Sequence, residues 1–88
     1  MSQLHVLREK MISLKQPILR VYLTFRQKQC LHLLAEGKTA AGIAFELGLS
    51  TRMVRGHLRN AKLRLGAISL PQAILFAEKM GLFKKGLD

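Results

Sequence analysis

Tryptophan is absent from this 88-residue chain, tyrosine occurs once and phenylalanine four times, so the aromatic supply of a β-sandwich or barrel is missing. Cys30 is the only cysteine, which excludes an internal disulfide framework and fits a reducing compartment. Its expected role is that of a small buried hydrophobe. Acids are scarce, five against fifteen Lys and Arg, for a net charge of +10. His5, His32 and His57 lack metal-ligand spacing, so neither a metal nor a cofactor is expected. Three histidines, one cysteine and five scattered acids do not assemble into nucleophile, base and orienter, and the chain does not read as an enzyme. No segment approaches the roughly 18 apolar residues of a membrane span. The start, Met1-Ser2-Gln3-Leu4-His5, runs into Arg8, Glu9 and Lys10 and offers no signal-peptide core. The expectation is a soluble, intracellular, cytoplasmic protein with no membrane partner.

What is present is helical. Apolar residues make up 49% of the chain, enough for one small core, and the abundant Leu, Ala, Lys, Arg, Gln and Met favour helix. The fold class read from this is all-α, a small helical bundle. Leu4, Leu7, Met11, Leu14, Ile18 and Val21 recur at spacings of three and four and predict an N-terminal helix, which Pro17 stops or kinks. That helix serves either as a cover for the core or as a dimerisation arm. Residues 1–22 are read as this extension, 23–83 as the domain proper, and 84–88, with Lys84, Lys85 and Gly86, as a frayed tail.

Within the domain four starts and stops are legible. Thr24-Phe25-Arg26-Gln27 is a capping box, followed by Leu31, Leu34 and Ala35 on an inner face and Gly37 as the stop. A short helix is predicted over Thr39–Leu47. A third, capped by Ser50, runs to about Leu65 with Gly66 as its stop. The last begins near Ser69 or Leu70, tolerates Pro71 in its first turn, and points Ala73, Ile74, Ala77 and Met80 inward. Ala44, then Gly48 four residues on, then Val54 six later, has the spacing of a helix-turn-helix. The small residue permits close helix approach, the glycine can adopt a positive φ in the turn, and the β-branched residue wedges the second helix.

The charge singles out the same region. Residues 48–65 carry Arg52, Arg55, Arg59, Lys62 and Arg64 and no acid, half of the net charge, and no acidic residue occurs between Glu46 and Glu78. Val54, Leu58, Ala61 and Leu65 form one stripe of the predicted third helix, and Arg52, Arg55, Arg59 and Lys62 form another beside it. An unneutralised cationic stripe on the second helix of such a motif points to double-stranded DNA.

Several segments fit one known pattern in register. Leu23-Thr24-Phe25-Arg26-Gln27 matches L-T-x-R-E, and Leu33-Leu34-Ala35-Glu36-Gly37-Lys38-Thr39 matches L-L-A-x-G-K-S/T. Ile43-Ala44, Leu47-Gly48-Leu49-Ser50 and Val54-Arg55-Gly56-His57-Leu58 follow in order, then Leu65-Gly66 and the Ala73, Ala77, Gly81-Leu82 series. In these features the chain resembles the LuxR/GerE family of bacterial transcription regulators, from about Leu23 to Phe83.

The resemblance implies a sequence-specific regulator whose third domain helix, about residues 51–65, enters the major groove. It gives base contacts to Arg55, Gly56 and Arg59, each arginine able to pair with guanine O6 and N7. Lys38, Thr39, Thr51, Arg52, His57, Lys62 and Arg64 become phosphate contacts, with His57 equally placed for packing. A homodimer on a two-fold site is implied, without a built-in sensor domain. Gln27 replaces the usual Glu yet keeps the capping box. Gly42 replaces a Glu and is expected to loosen the helix. Leu70 and Gln72 stand where the family usually has Arg and Glu. Two other readings share these features: an interaction module that sequesters another regulator, and a sigma region-4 relative bound to RNA polymerase, which Arg26-Gln27 and Asn60-Ala61 resemble.

Overall fold

The computed structural model describes residues 22–83. The predicted N-terminal helix, with the stop or kink expected at Pro17, and the tail predicted at Lys84-Lys85-Gly86 lie outside them. The described residues form four helices and no strand: α1 Phe25–Ala35, α2 Ala40–Leu47, α3 Thr51–Arg64 and α4 Leu70–Lys79. The all-α reading holds.

Each helix opens on a hydroxyl and closes on a glycine. Thr24, Thr39, Ser50 and Ser69 accept hydrogen bonds from the backbone N–H groups of Gln27, Gly42, Met53 and Gln72, three residues on. The Thr24 box is complete, since the Thr24 N–H donates back to Gln27 Oε1 at 3.0 Å. Gln72 plays a related part at α4, its Oε1 accepting from the Ile68 N–H at 2.8 Å. The glutamine that replaces the family's usual acid is thus absorbed by a local cap. At the other ends Lys38, Leu49, Ala67 and Leu82 donate their N–H groups to the carbonyls of Leu33, Ala44, Lys62 and Ala77, five residues back. These bonds consume carbonyls that a helix end leaves orphaned. The reversal requires left-handed backbone just before each donor. Gly48, with φ 70° and ψ 31°, supplies it in the helix-turn-helix, where a side chain would be strained.

The core gathers where α3 is packed by all three other helices. Leu31, Ile43 and Val54 are its largest fully buried side chains, and Leu58 is buried beside them, each contributing about 1.5–3 kcal/mol on burial. Leu65 is buried as well, and the rest is small: Cys30, Ala44, Ala61, Ala67, Ala73 and Ala77. Alanine at these places lets backbones approach closely, which explains how an eight-residue α2 can seat the longer α3.

Three expectations need correction. Met80 is exposed, whereas Ile74 packs half-buried against the core beside the fully buried Ala73 and Ala77. On α1 the buried pair is Cys30 and Leu31, with Leu34 and Ala35 at the margin, while Gln27 is buried by its own capping role. Gly42 is the third residue of α2, inside its first turn, with its N–H held by Thr39 at 3.0 Å. The cost of a mid-helix glycine is therefore not what it incurs; what it lacks is the side chain that would complete a second capping box.

Candidate nucleic-acid interface

Helix α3 turns Val54, Leu58 and Ala61 into the core, and Arg52, Arg55, Arg59 and Asn60 are exposed. At about 100° per residue the centres of the buried and cationic stripes stand about 110° apart. Gly56 then lies almost diametrically opposite the core and is exposed. A Cβ placed on Gly56 would meet nothing within 4 Å, so packing does not demand glycine there.

The predicted contact residues divide between two flanks of that outward line. Arg52, Arg55, Arg59 and Lys62 share one flank, with Lys62 half-buried and its stem laid along the domain. His57 and Arg64 lie on the other, about 160–180° round the helix from the stripe's centre. His57 is half-buried at the margin of the core. The Arg64 guanidinium donates from Nη1 to the Tyr22 carbonyl at 2.8 Å, tying the end of α3 to the chain that enters α1. Tyr22 was not legible as a partner, because 42 residues separate the two.

Between α1 and α3 the remaining candidates sit at helix starts. The Thr39 hydroxyl is already accepting from Gly42, and Thr51 is the half-buried first residue of α3. Both therefore stand where the positive end of a helix dipole favours an anion. The Lys38 ammonium lies 3.7 Å from Glu46 Oε1 in a half-exposed pair, so it is partly neutralised, and Glu46 is a contributor that sequence spacing did not announce. No ion pair between described residues involves α3; the two present are Lys38–Glu46 and His32–Glu36. The α3 cations therefore have no acidic partner among the described residues. Neither has a metal: no group of three His, Cys, Asp or Glu could hold one among those residues. No helix among them is long and apolar enough to cross a membrane.

Beside the stripe is a groove of about 380 Å³. Its floor takes one residue from each helix or helix start, Leu34, Ala40, Leu58 and Leu70, and its rim is Arg55, Arg59 and Lys62. Nothing in the sequence periodicity marked it, because it forms only where four elements meet.

Comparison with known proteins agrees with the all-α helix-turn-helix fold. The family described as bacterial regulatory proteins, luxR family, matches residues 21–77. The spore germination protein GerE of Bacillus subtilis is 39% identical over 59 residues, covering 67% of this chain and 80% of that protein. The transcriptional activator protein AnoR of Acinetobacter nosocomialis is 40% identical over 62 residues, and VanR of Vibrio anguillarum 47% over 55. The chain spans only 26% and 23% of the lengths of these two activators. The solved structure of the transcription factor GerE superposes with a TM-score of 0.65 at 32% identity, over 67% of this chain and 88% of that one.

Proposed function

The chain belongs to the luxR family of bacterial regulatory proteins and is a DNA-binding helix-turn-helix transcription regulator, and from that premise we propose how it reads DNA. Helix α3 lies in the major groove with Gly56 toward the groove floor. Arg55 and Arg59, one turn apart and exposed, pair with guanines on the flank they share. Arg52 and Lys62 hold the phosphates of the nearer strand, and His57 approaches those of the other. Thr39 and Thr51 offer the helix N-termini to the backbone, and Lys38 joins them once phosphate competes with Glu46. Arg64 braces α3 through Tyr22 more than it touches DNA. The observation that supports this reading is a cationic stripe, without acidic partners among the described residues, on the exposed side of a helix whose opposite side is the core.

In the same reading the protein acts as a homodimer on half-sites about one helical turn apart, in the cytoplasm, with binding rather than catalysis as its activity. Selection from a random DNA pool should yield a two-fold consensus containing guanines. Arg55→Ala or Arg59→Ala should then cost about 1–3 kcal/mol on that consensus. Lys62→Ala should weaken every sequence alike and reduce the salt slope by about one unit. Unchanged binding by both arginine variants would refute the docking, and a stoichiometric protein partner with no DNA affinity at low salt would replace it with sequestration.

A further inference from the structure

DNA binding accounts for the cations on α3 but not for the concave apolar floor they overhang. Contacts to phosphates and base edges need protruding donors, whereas the groove of about 380 Å³ is lined beneath by Leu34, Ala40, Leu58 and Leu70. Its size falls in the range of small-ligand sites, which run from about 300 to 1,000 Å³. Leu70, the half-buried first residue of α4, completes the apolar floor. Over it stand Arg55, Arg59 and Lys62, with no acidic partner among the described residues. A hydrocarbon floor under a cationic rim is complementary to a molecule with a short apolar chain and an anionic head. The planar fork of arginine matches a carboxylate with two parallel hydrogen bonds. The chain's own first 22 residues, at net +3, carry the wrong charge for this rim.

We propose that this groove binds a small carboxylate amphiphile, its apolar chain on Leu34, Leu58 and Leu70 and its head on Arg55, Arg59 and Lys62, and that an occupied groove excludes DNA. The second part rests on the DNA reading above, because it requires Arg55 and Arg59 to be the groove-reading residues. A ligand that engages both guanidinium groups takes away the donors that guanine would use. The regulator would then be released from DNA by a metabolite without any change in its helices.

The test is calorimetric titration of the full 88-residue chain with decanoate below its micellar threshold, with decanol and an acidic leucine-containing peptide as comparators. Saturable one-to-one binding is expected, about tenfold or more tighter for decanoate than for decanol, the worth of one charge-assisted pair. Ala40→Leu, which fills the floor, and Leu70→Gln, which removes part of it, should each abolish binding while melting cooperatively. The use of two variants guards against one that fails to fold. Decanoate should also displace the selected DNA from the wild-type chain and not from Ala40→Leu. Equal binding of decanol, binding unchanged in both variants, or binding of the peptide alone would overturn the proposal. A chain that selects a DNA consensus but ignores decanoate defeats the groove and leaves the DNA reading intact. One that binds decanoate but selects no DNA defeats the DNA reading and the competition together.

Discussion

Gly56→Ala should make the domain more stable and a poorer DNA binder. Gly56 is the sixth residue of the fourteen-residue α3 and is exposed. It is not among the glycines with positive φ, and an added Cβ meets no atom within 4 Å. Nothing in the fold opposes alanine, so the gain should be the full helical preference, about 0.5–1 kcal/mol. For a domain of 60–100 residues that raises the melting temperature by about 2–8 °C. The same methyl group stands on the outward line of α3 and holds the helix off the groove floor. Affinity for the selected consensus should fall by about 1 kcal/mol or more, the scale of one altered base contact. Thermal melts followed by circular dichroism and fluorescence anisotropy with labelled duplex measure the two effects on the same preparation. A rise in stability with undiminished affinity would remove Gly56 from the interface, and a fall in stability would refute the account of α3 itself.

Three other predictions follow from individual contacts. Gly42→Gln should complete the box that Thr39 leaves half-made, adding about 0.5–1.5 kcal/mol for one further hydrogen bond. A Cβ there meets Thr39 Oγ1 at 3.3 Å, and the same arrangement is accommodated at Thr24 and Gln27. In a Thr39→Ala background the gain should shrink, and an equal gain in both backgrounds by denaturant melts would show no box forms. Burial pushes the Cys30 thiol up, against the opposing field of Arg26. The unfolded chain therefore ionises first, and this part of the stability is complete below the ordinary thiol range and is lost as pH rises through it. Cys30→Ala should flatten the alkaline slope of stability against pH, and an unchanged slope would assign it to other groups. Arg64→Ala should lower stability by less than about 1 kcal/mol, since its bond to the Tyr22 carbonyl is exposed, and should leave sequence preference unaltered in the random-pool selection.

How far the sequence could be read depended on how local each signal was. The capping hydroxyls and terminal glycines act across three to five residues, and they lie where Thr24, Thr39, Ser50, Ser69, Gly48 and Gly66 announce them. The buried stripe of α3 was equally clear, because one helix carries it. Burial on α4 was harder: Met80 shares the apolar pattern of Ala73 and Ala77, yet only the alanines reach the core. Which of several apolar residues is covered is decided by the partner helix and not by spacing. The same holds for the pairing of Lys38 with Glu46, for Arg64 with Tyr22, and for the groove under Arg55 and Arg59. Each joins residues from different elements and leaves no periodic trace.

The alanine-rich core bears on what kind of signal this domain can receive. Ala44, Ala61, Ala67, Ala73 and Ala77 have no rotamers to exchange, and their burial costs no side-chain entropy. With alanine at so many core positions, alternative packings are confined to side chains such as Leu31, Ile43, Leu58 and Leu65, so a ligand or a neighbouring protein has less to rearrange within it. The domain should behave as a stiff die: what varies is whether its printed face is free or covered, and adaptation to one DNA sequence over another is left to the long side chains of Arg55 and Arg59 at the surface.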